Sequence, residues 1–240
     1  MEHRDRLWPG GYTFLYDDGL FRPSTDTFLL GAFPRLRRGM AVCELGAGTG
    51  LLSLLLLARE PELTVTGVEL QPQACALFRR TAEENGLGDR MRCLEGDLRQ
   101  GLLPPGRFRL AVANPPYFPP GAGAVAPDAA RRTARAETDC TLAQLCAAAA
   151  RALTWGGSFC LVHRPDRLAD VLEELRRVRL EPKRLRFVHH TAAAPPSLFL
   201  LEARLGGGVG LTVEPPLLLH GPDGGETEDV RRAYFRDKEE

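Results

Sequence analysis

The chain has 240 residues, 44% of them hydrophobic, and its 31 Lys and Arg are balanced by 31 Asp and Glu. That is enough apolar material for one large α/β core, and the length favours a single domain. Balanced charge excludes a uniformly basic surface, so contact with nucleic acid must come from local patches.

The segment 1–6 is charged and has no apolar stretch of the kind a secretion signal needs. Residues 12–21 carry aromatics around Asp17-Asp18-Gly19, a hairpin turn signal. They lead into Ser24-Thr25-Asp26, a helix cap ahead of Phe28, Leu29, Leu30 and Phe33. Residues 1–36 therefore read as a small amino-terminal cap over a sheet. Strand-like runs follow at 40–45, 63–70, 90–94, 108–113, 158–163, 184–189 and 197–205. The greasiest stretch, 51–58, is broken by Ser53 and stops at Arg59, too short to cross a bilayer. Pro72 suits the first turn of a helix ending near Asn85-Gly86. Leu142, Leu145, Cys146, Ala149 and Leu153 recur at helical spacing behind Thr138 or Asp139 as a cap, and Leu168, Val171, Leu172, Leu175 and Val178 do the same behind Pro165 and Asp166.

This alternation predicts an α/β fold: a doubly wound, mostly parallel seven-stranded sheet with an antiparallel edge strand. The core spans 37–219, and 220–240 is a polar, partly ordered tail. The stretch 115–136, rich in Pro, Gly and Ala, has the length that compact domains keep for functional or mobile loops. None of the six cysteines forms a CxxC pair, so reduced thiols in a cytoplasmic protein are expected, with no metal site and no membrane contact.

Glu44-Leu45-Gly46-Ala47-Gly48-Thr49-Gly50 follows the first core strand and opens a helix. Glycines there let a ligand lie against peptide groups, and exposed N–H groups at the helix start attract its polar atoms. Alone, such a turn also suits a strand-to-helix corner without a ligand. Two carboxylates sharpen it. Glu44, two residues before the first glycine, is awkward beside a pyrophosphate but suits a cationic ligand such as the methionyl ammonium of S-adenosylmethionine. Glu69 ends the second core strand, 19 residues after Gly50, where an acid accepts hydrogen bonds from ribose hydroxyls. Asp97, after the third strand, offers its carboxylate to the adenine amino group or serves as an ordinary turn residue.

Asn114-Pro115-Pro116-Tyr117 follows the fourth core strand at the sheet edge where open α/β proteins bind ligands. An amine conjugated to a ring or carbonyl attacks poorly because its lone pair is delocalised. The Asn114 side-chain oxygen and the Pro115 carbonyl can hold its two hydrogens, turn the lone pair out of plane and aim it at a methyl donor. Pro115 and Pro116 stiffen the corner, and Tyr117 offers a stacking face. The chemistry needs no metal, only proximity and orientation. His163, on an apolar strand, reads as structural.

Together the glycine motif, Glu69, Asp97 and the Asn114–Tyr117 corner resemble the class I, Rossmann-like amino-methyltransferases. More specifically, residues 21–30, 163–168 and 181–189 resemble segments of the bacterial tRNA (adenine-N6)-methyltransferases that modify the adenosine beside the anticodon of a valine tRNA. The likeness runs from about residue 10 to 219. It implies S-adenosylmethionine as donor and tRNA as partner. Glu44, Gly46, Gly48 and Gly50 then line the methionine side, Glu69 the ribose and Asp97 the adenine, with Asn114 bordering the donor and Asn114 to Tyr117 holding the target base. Ala136-Glu137 departs from the His-Glu pair expected there.

Two basic patches support RNA: Arg131, Arg132 and Arg135 in the long loop, and Lys183, Arg184 and Arg186 beside Arg176, Arg177 and Arg179. A solvated helix face explains the second equally well. Two rivals stay open. One is methylation of a glutamine side-chain amide in a protein, and the other is an inactive RNA-binding scaffold of the same fold.

Overall fold

In the computed structural model of the chain, the described residues are 1–20, 22–115 and 140–238. The first strands, β1 (Glu2–Arg6) and β2 (Thr13–Asp17), pair antiparallel with Glu2 opposite Asp17 and Arg6 opposite Thr13. The hairpin thus turns through residues 7–12, where Gly11 N–H donates to the Trp8 carbonyl at 2.8 Å, and not at Asp17-Asp18-Gly19. The reason lies on either side of Pro9-Gly10-Gly11: Leu7, Phe14 and Leu15 are all buried and hold that register. Asp17 instead closes a local turn, its Oδ1 accepting the Gly19 N–H at 2.7 Å.

Helix α1 (Thr25–Ala32) starts at Ser24 and buries Phe28, Leu29 and Leu30, packing on α2 (Leu51–Arg59). The main sheet begins with β3 (Ala41–Leu45), continues through β4 (Thr64–Glu69) to β5 (Met91–Glu95), then returns past β3 to β6 (Phe108–Ala113) and β7 (Leu153–His163). These five are parallel, in the order β5-β4-β3-β6-β7. Next to β7 lies β9 (Pro196–Leu205), antiparallel to it and to β8 (Leu180–His189) beyond. The two-residue strands β10 (Thr212–Val213) and β11 (Leu217–Leu218) extend the outer side of β8. The seven long strands are those read from the sequence. The antiparallel one is β9, held within the edge hairpin, with β8 and its short partners outermost.

Helix α3 (Pro72–Glu84) joins α1 and α2 over one hydrophobic cluster, whereas α4 (Leu142–Ala152) and α5 (Leu168–Arg177) cover the other. Pro72 and the positive φ of Gly86 bound α3 as expected. The cap of α4 is Thr141, in a reciprocal box with Gln144. Thr138 and Asp139 lie outside the described residues. The tail is packed rather than loose through residue 238. Helix α6 (Glu228–Ala233) buries Val230, Ala233 and the following Phe235, and Tyr234 stacks on Phe28 at 4.2 Å. Its surrounding charges mask that short apolar pattern in the sequence. Together with the hairpin, this segment borders a cavity of about 520 Å³ beside the first turn of α1. No helix among the described residues is long and apolar enough to cross a membrane.

Candidate active site

From β3 the chain winds outward through β4 and β5, and from β6 it winds the other way, so the crevice at the carboxyl ends of β3 and β6 is the switch point of the sheet. Glu44 pairs with Gly67 on one side and Val112 on the other. Carrying that register two residues on puts Gly46, Glu69 and Asn114 at one level, the first two from the glycine turn and β4, the third just past β6.

The glycine turn is tied to β4 by its backbone. Gly46 N–H and Ala47 N–H both donate to the Val68 carbonyl, at 3.0 and 2.9 Å. Glu69, buried, accepts from Gly48 N–H at 2.7 Å through Oε2 and from Gln71 N–H at 2.8 Å through Oε1. Each carboxylate oxygen has a second lone pair, so the group that shapes the turn is also suited to hold ligand hydroxyls. Two glycines are needed for different reasons. Gly46 has φ +71°, and a Cβ there meets no atom within 4 Å, so its face lines open space. Gly50 has φ +89°, and a Cβ there lies 2.7 Å from the Phe78 ring and 2.8 Å from Met91.

Glu44 is buried, and its Oε2 accepts from both the N–H (3.0 Å) and the hydroxyl of Ser53 in the first turn of α2. Burial pushes its carboxyl up to about 8, partly offset by the Ser53 bonds, with nearby Glu69 adding to the rise. The folded protein therefore holds a proton that the unfolded chain releases near 4.5. Stability from this group is complete below about pH 4.5 and falls as pH rises towards 8. Glu44→Gln is expected to flatten that decline. Urea midpoints of both proteins from pH 5 to 8 check it, and parallel curves would contradict the assignment.

Asp97 caps a 3₁₀ turn (Leu98–Gln100), accepting the Arg99 N–H at 2.8 Å and pairing with the Arg99 guanidinium. Those bonds, the side-chain one first, hold its carboxyl below the usual range. It stands beside Glu69, because Gly96 N–H donates to the Glu69 carbonyl at 2.8 Å. In this structure its carboxylate closes the turn.

Asn114 leaves β6 and turns its Nδ2 to Thr27 Oγ1 of α1, at 3.0 Å. Thr27 is buried, and its hydroxyl lies 3.2 Å from that of Ser24. Pro115 follows, half-buried. Pro116, Tyr117, Arg131, Arg132 and Arg135 lie outside the described residues. His163 is buried, with Nδ1 accepting the Arg164 N–H at 2.8 Å, and burial lowers its pKa to about 4. It is a neutral ring at physiological pH.

Within the second basic patch Arg184 and Arg186 are tied into the fold, whereas Arg176, Arg177 and Arg179 lie on the surface. Arg184 donates to Glu202 (3.0 Å) and the Phe33 carbonyl (2.8 Å), pairs with Glu214 at 3.3 Å and stacks 3.9 Å over the Phe33 ring. It ties α1 to the outer strands. Arg186 pairs with Asp229 and donates to the Pro215 carbonyl, Arg177 pairs with Glu173 and Glu174, and Arg176 with Glu181. Lys183 is half-buried and donates to the Gly208 carbonyl at 2.8 Å. Arg184→Ala strands Glu202 with its charge in the interior and is expected to cost about 3 kcal/mol. Chemical unfolding measures this; an unchanged midpoint would refute the network's role.

Sequence reasoning missed Thr27, Ser53 and Leu70. Ser53 looked only like a break in an apolar run, and Thr27 drew no reading between the cap and Phe28. Leu70 is 45% exposed directly after Glu69, an apolar face in a polar crevice. An apolar residue following an acidic strand end was the available signal.

A parallel sheet with a glycine turn, an acidic strand end and an Asn-Pro corner converging at its switch point defines a class I methyltransferase. The family profile described as methyltransferase small domain matches residues 23–183. Among curated relatives, a protein of Yersinia enterocolitica named tRNA1(Val) (adenine(37)-N6)-methyltransferase is 31% identical over 73% of this chain and 71% of its own. Proteins of the same name from Porphyromonas gingivalis and Dickeya chrysanthemi are 33% and 32% identical, over 76% and 86% of this chain and 74% and 84% of theirs. A solved structure from Agrobacterium tumefaciens, described as a predicted O-methyltransferase, superposes with a TM-score of 0.72 at 22% identity, over 87% of this chain and 96% of that one, and shares the fold. The chain belongs to the methyltransferase small domain family and, within it, to the family of the tRNA1(Val) (adenine(37)-N6)-methyltransferases.

Proposed function

We propose that this chain transfers the methyl group of S-adenosylmethionine to N6 of an adenosine in tRNA, the anticodon-loop adenosine of a valine tRNA. The observation that carries the reading is Asn114-Pro115 at the carboxyl end of β6, level with Gly46 and Glu69 and anchored to α1 through Thr27. The residues of the crevice fit the donor. Gly46 leaves open space beside the turn, Glu69 suits the ribose hydroxyls and Leu70 offers an apolar face to the adenine, while Glu44, buried and protonated, braces the turn through Ser53 and is proposed to give up that proton when the ammonium arrives. When bound, S-adenosylmethionine would supply an electrophilic methyl carbon on its sulfonium and leave as S-adenosylhomocysteine, the methylated amine losing one proton.

The chain's own contribution is orientation. The Asn114 Oδ1 and the Pro115 carbonyl accept the two hydrogens of the adenine amine and turn its lone pair out of the ring plane. Rigid placement of this kind is worth several powers of ten in rate. Tyr117 and the loop arginines Arg131, Arg132 and Arg135 are proposed to stack on the base and contact phosphates. A loop adenosine reaches such a corner at lower unstacking cost than one in a duplex.

The test incubates the protein with methyl-labelled S-adenosylmethionine and either unmodified total tRNA or ribosomal release proteins. Label recovered as N6-methyladenosine, and lost when valine tRNA is removed from the mixture, supports the proposal. Label in protein alone assigns the clamp to a glutamine amide. Donor binding without transfer to either leaves a scaffold.

A further inference from the structure

We propose that Thr27 is a positioning residue for Asn114, holding its side-chain amide with the oxygen presented to the substrate amine; this rests on the function proposed above. An asparagine amide is nearly the same shape in its two orientations, but only one is useful here. With Oδ1 towards the substrate it accepts an amine hydrogen. Flipped, its NH2 meets the amine donor to donor.

The other branch of the amide has a fixed partner. Asn114 Nδ2 donates to Thr27 Oγ1 at 3.0 Å, and Thr27 Oγ1 lies 3.2 Å from Ser24 Oγ. When the Thr27 hydrogen is given to Ser24, the Thr27 oxygen presents a lone pair to Asn114, and the three groups form one directed relay, Asn114 to Thr27 to Ser24. The relay is rigid. Thr27 is only 2% exposed, branched at Cβ, and set in the first turn of a helix that packs on α2. The amino-terminal cap therefore reaches into the chemistry: a residue 87 positions away along the chain holds the Asn114 amide.

Thr27→Val keeps the shape and removes the hydroxyl; Thr27→Ser keeps the hydroxyl. Thr27→Val is expected to lower kcat for tRNA by about tenfold or more, with donor Kd and Tm close to the parent. Thr27→Ser restores most of kcat, and Ser24→Ala loses less than Thr27→Val but in the same direction. The Asn114 side-chain amide resonances, assigned by their disappearance in Asn114→Ala, shift in Thr27→Val and return in Thr27→Ser. Parental kcat and unshifted resonances in Thr27→Val overturn the inference. So does a loss that appears equally in donor Kd and Tm, or one that serine does not rescue. If Thr27→Val does not fold, Ser24→Ala and Thr27→Ser decide, and unaltered resonances and kcat in Ser24→Ala count against the relay. The resonance readout also separates the two readings: an intact protein that shows the shifts but methylates no tRNA sinks the proposed function alone.

Discussion

Replacing Asn114 with alanine is expected to lower methyl transfer by at least about 100-fold while the donor still binds. The substitution removes one of the two acceptors that turn the amine lone pair, and it leaves Glu69, the glycine turn and Leu70 in place. Alanine also withdraws the amide from Thr27, but a buried threonine hydroxyl beside Ser24 keeps a partner, so the fold has little reason to fail. Single-turnover transfer and equilibrium donor binding, measured on the same preparation, check both halves. Parental transfer would place the chemistry elsewhere. Loss of donor binding equal to the loss of transfer would make Asn114 a cofactor residue first.

The second large effect is structural. Gly50→Ala puts a Cβ 2.7 Å from the ring of Phe78 and 2.8 Å from Met91, at a backbone φ of +89°. Phe78 is fully buried between α3 and the sheet and cannot swing aside. The left-handed backbone costs about 1–2 kcal/mol for a residue with Cβ, and overpacking about 1–3 more. A combined loss of about 2–5 kcal/mol is expected, with Tm lower by roughly 10 °C. Donor affinity falls as well, because Gly50 starts α2 and sets the turn that Glu69 holds. Calorimetry with and without S-adenosylmethionine checks this. Gly46→Ala is the informative contrast: its Cβ meets no protein atom, so beyond the cost of its φ the damage is expected in donor binding.

Both effects depend on residues visible in the sequence, but for reasons of different kinds. Gly46, Gly48, Gly50, Glu69 and Asn114 stand out because they sit at the ends of apolar runs, and in a parallel sheet every such end faces the same edge. Period and punctuation were enough to bring them together. The same logic failed at the hairpin. Asp17-Asp18-Gly19 is a good turn by composition, yet the strands pair across Pro9-Gly10-Gly11, because burial of Leu7, Phe14 and Leu15 outweighs the local preference. It failed again in the tail, where Val230, Ala233, Tyr234 and Phe235 are scattered among charges and only their docking against Phe28 and its neighbours reveals them as core.

Arg184 makes the point for charge. In sequence it belongs to a basic run that reads as a phosphate surface. In space the strand carries it against Glu202, Glu214 and the face of Phe33, partners 18, 30 and 151 positions away. No local pattern encodes such a pairing.

The amino-acid order by itself determined the α/β alternation, the glycine turn, the acidic strand end and the Asn-Pro corner, since each is written in residues close along the chain and governed by short-range backbone and burial rules. Only the tertiary structure decided that β9 lies inside the edge hairpin, that Arg184 is a buried tie, and that Thr27 of the cap grips Asn114. Those outcomes arise from contacts between distant segments, whose partners are selected by the whole packed core and not by any neighbourhood of the chain.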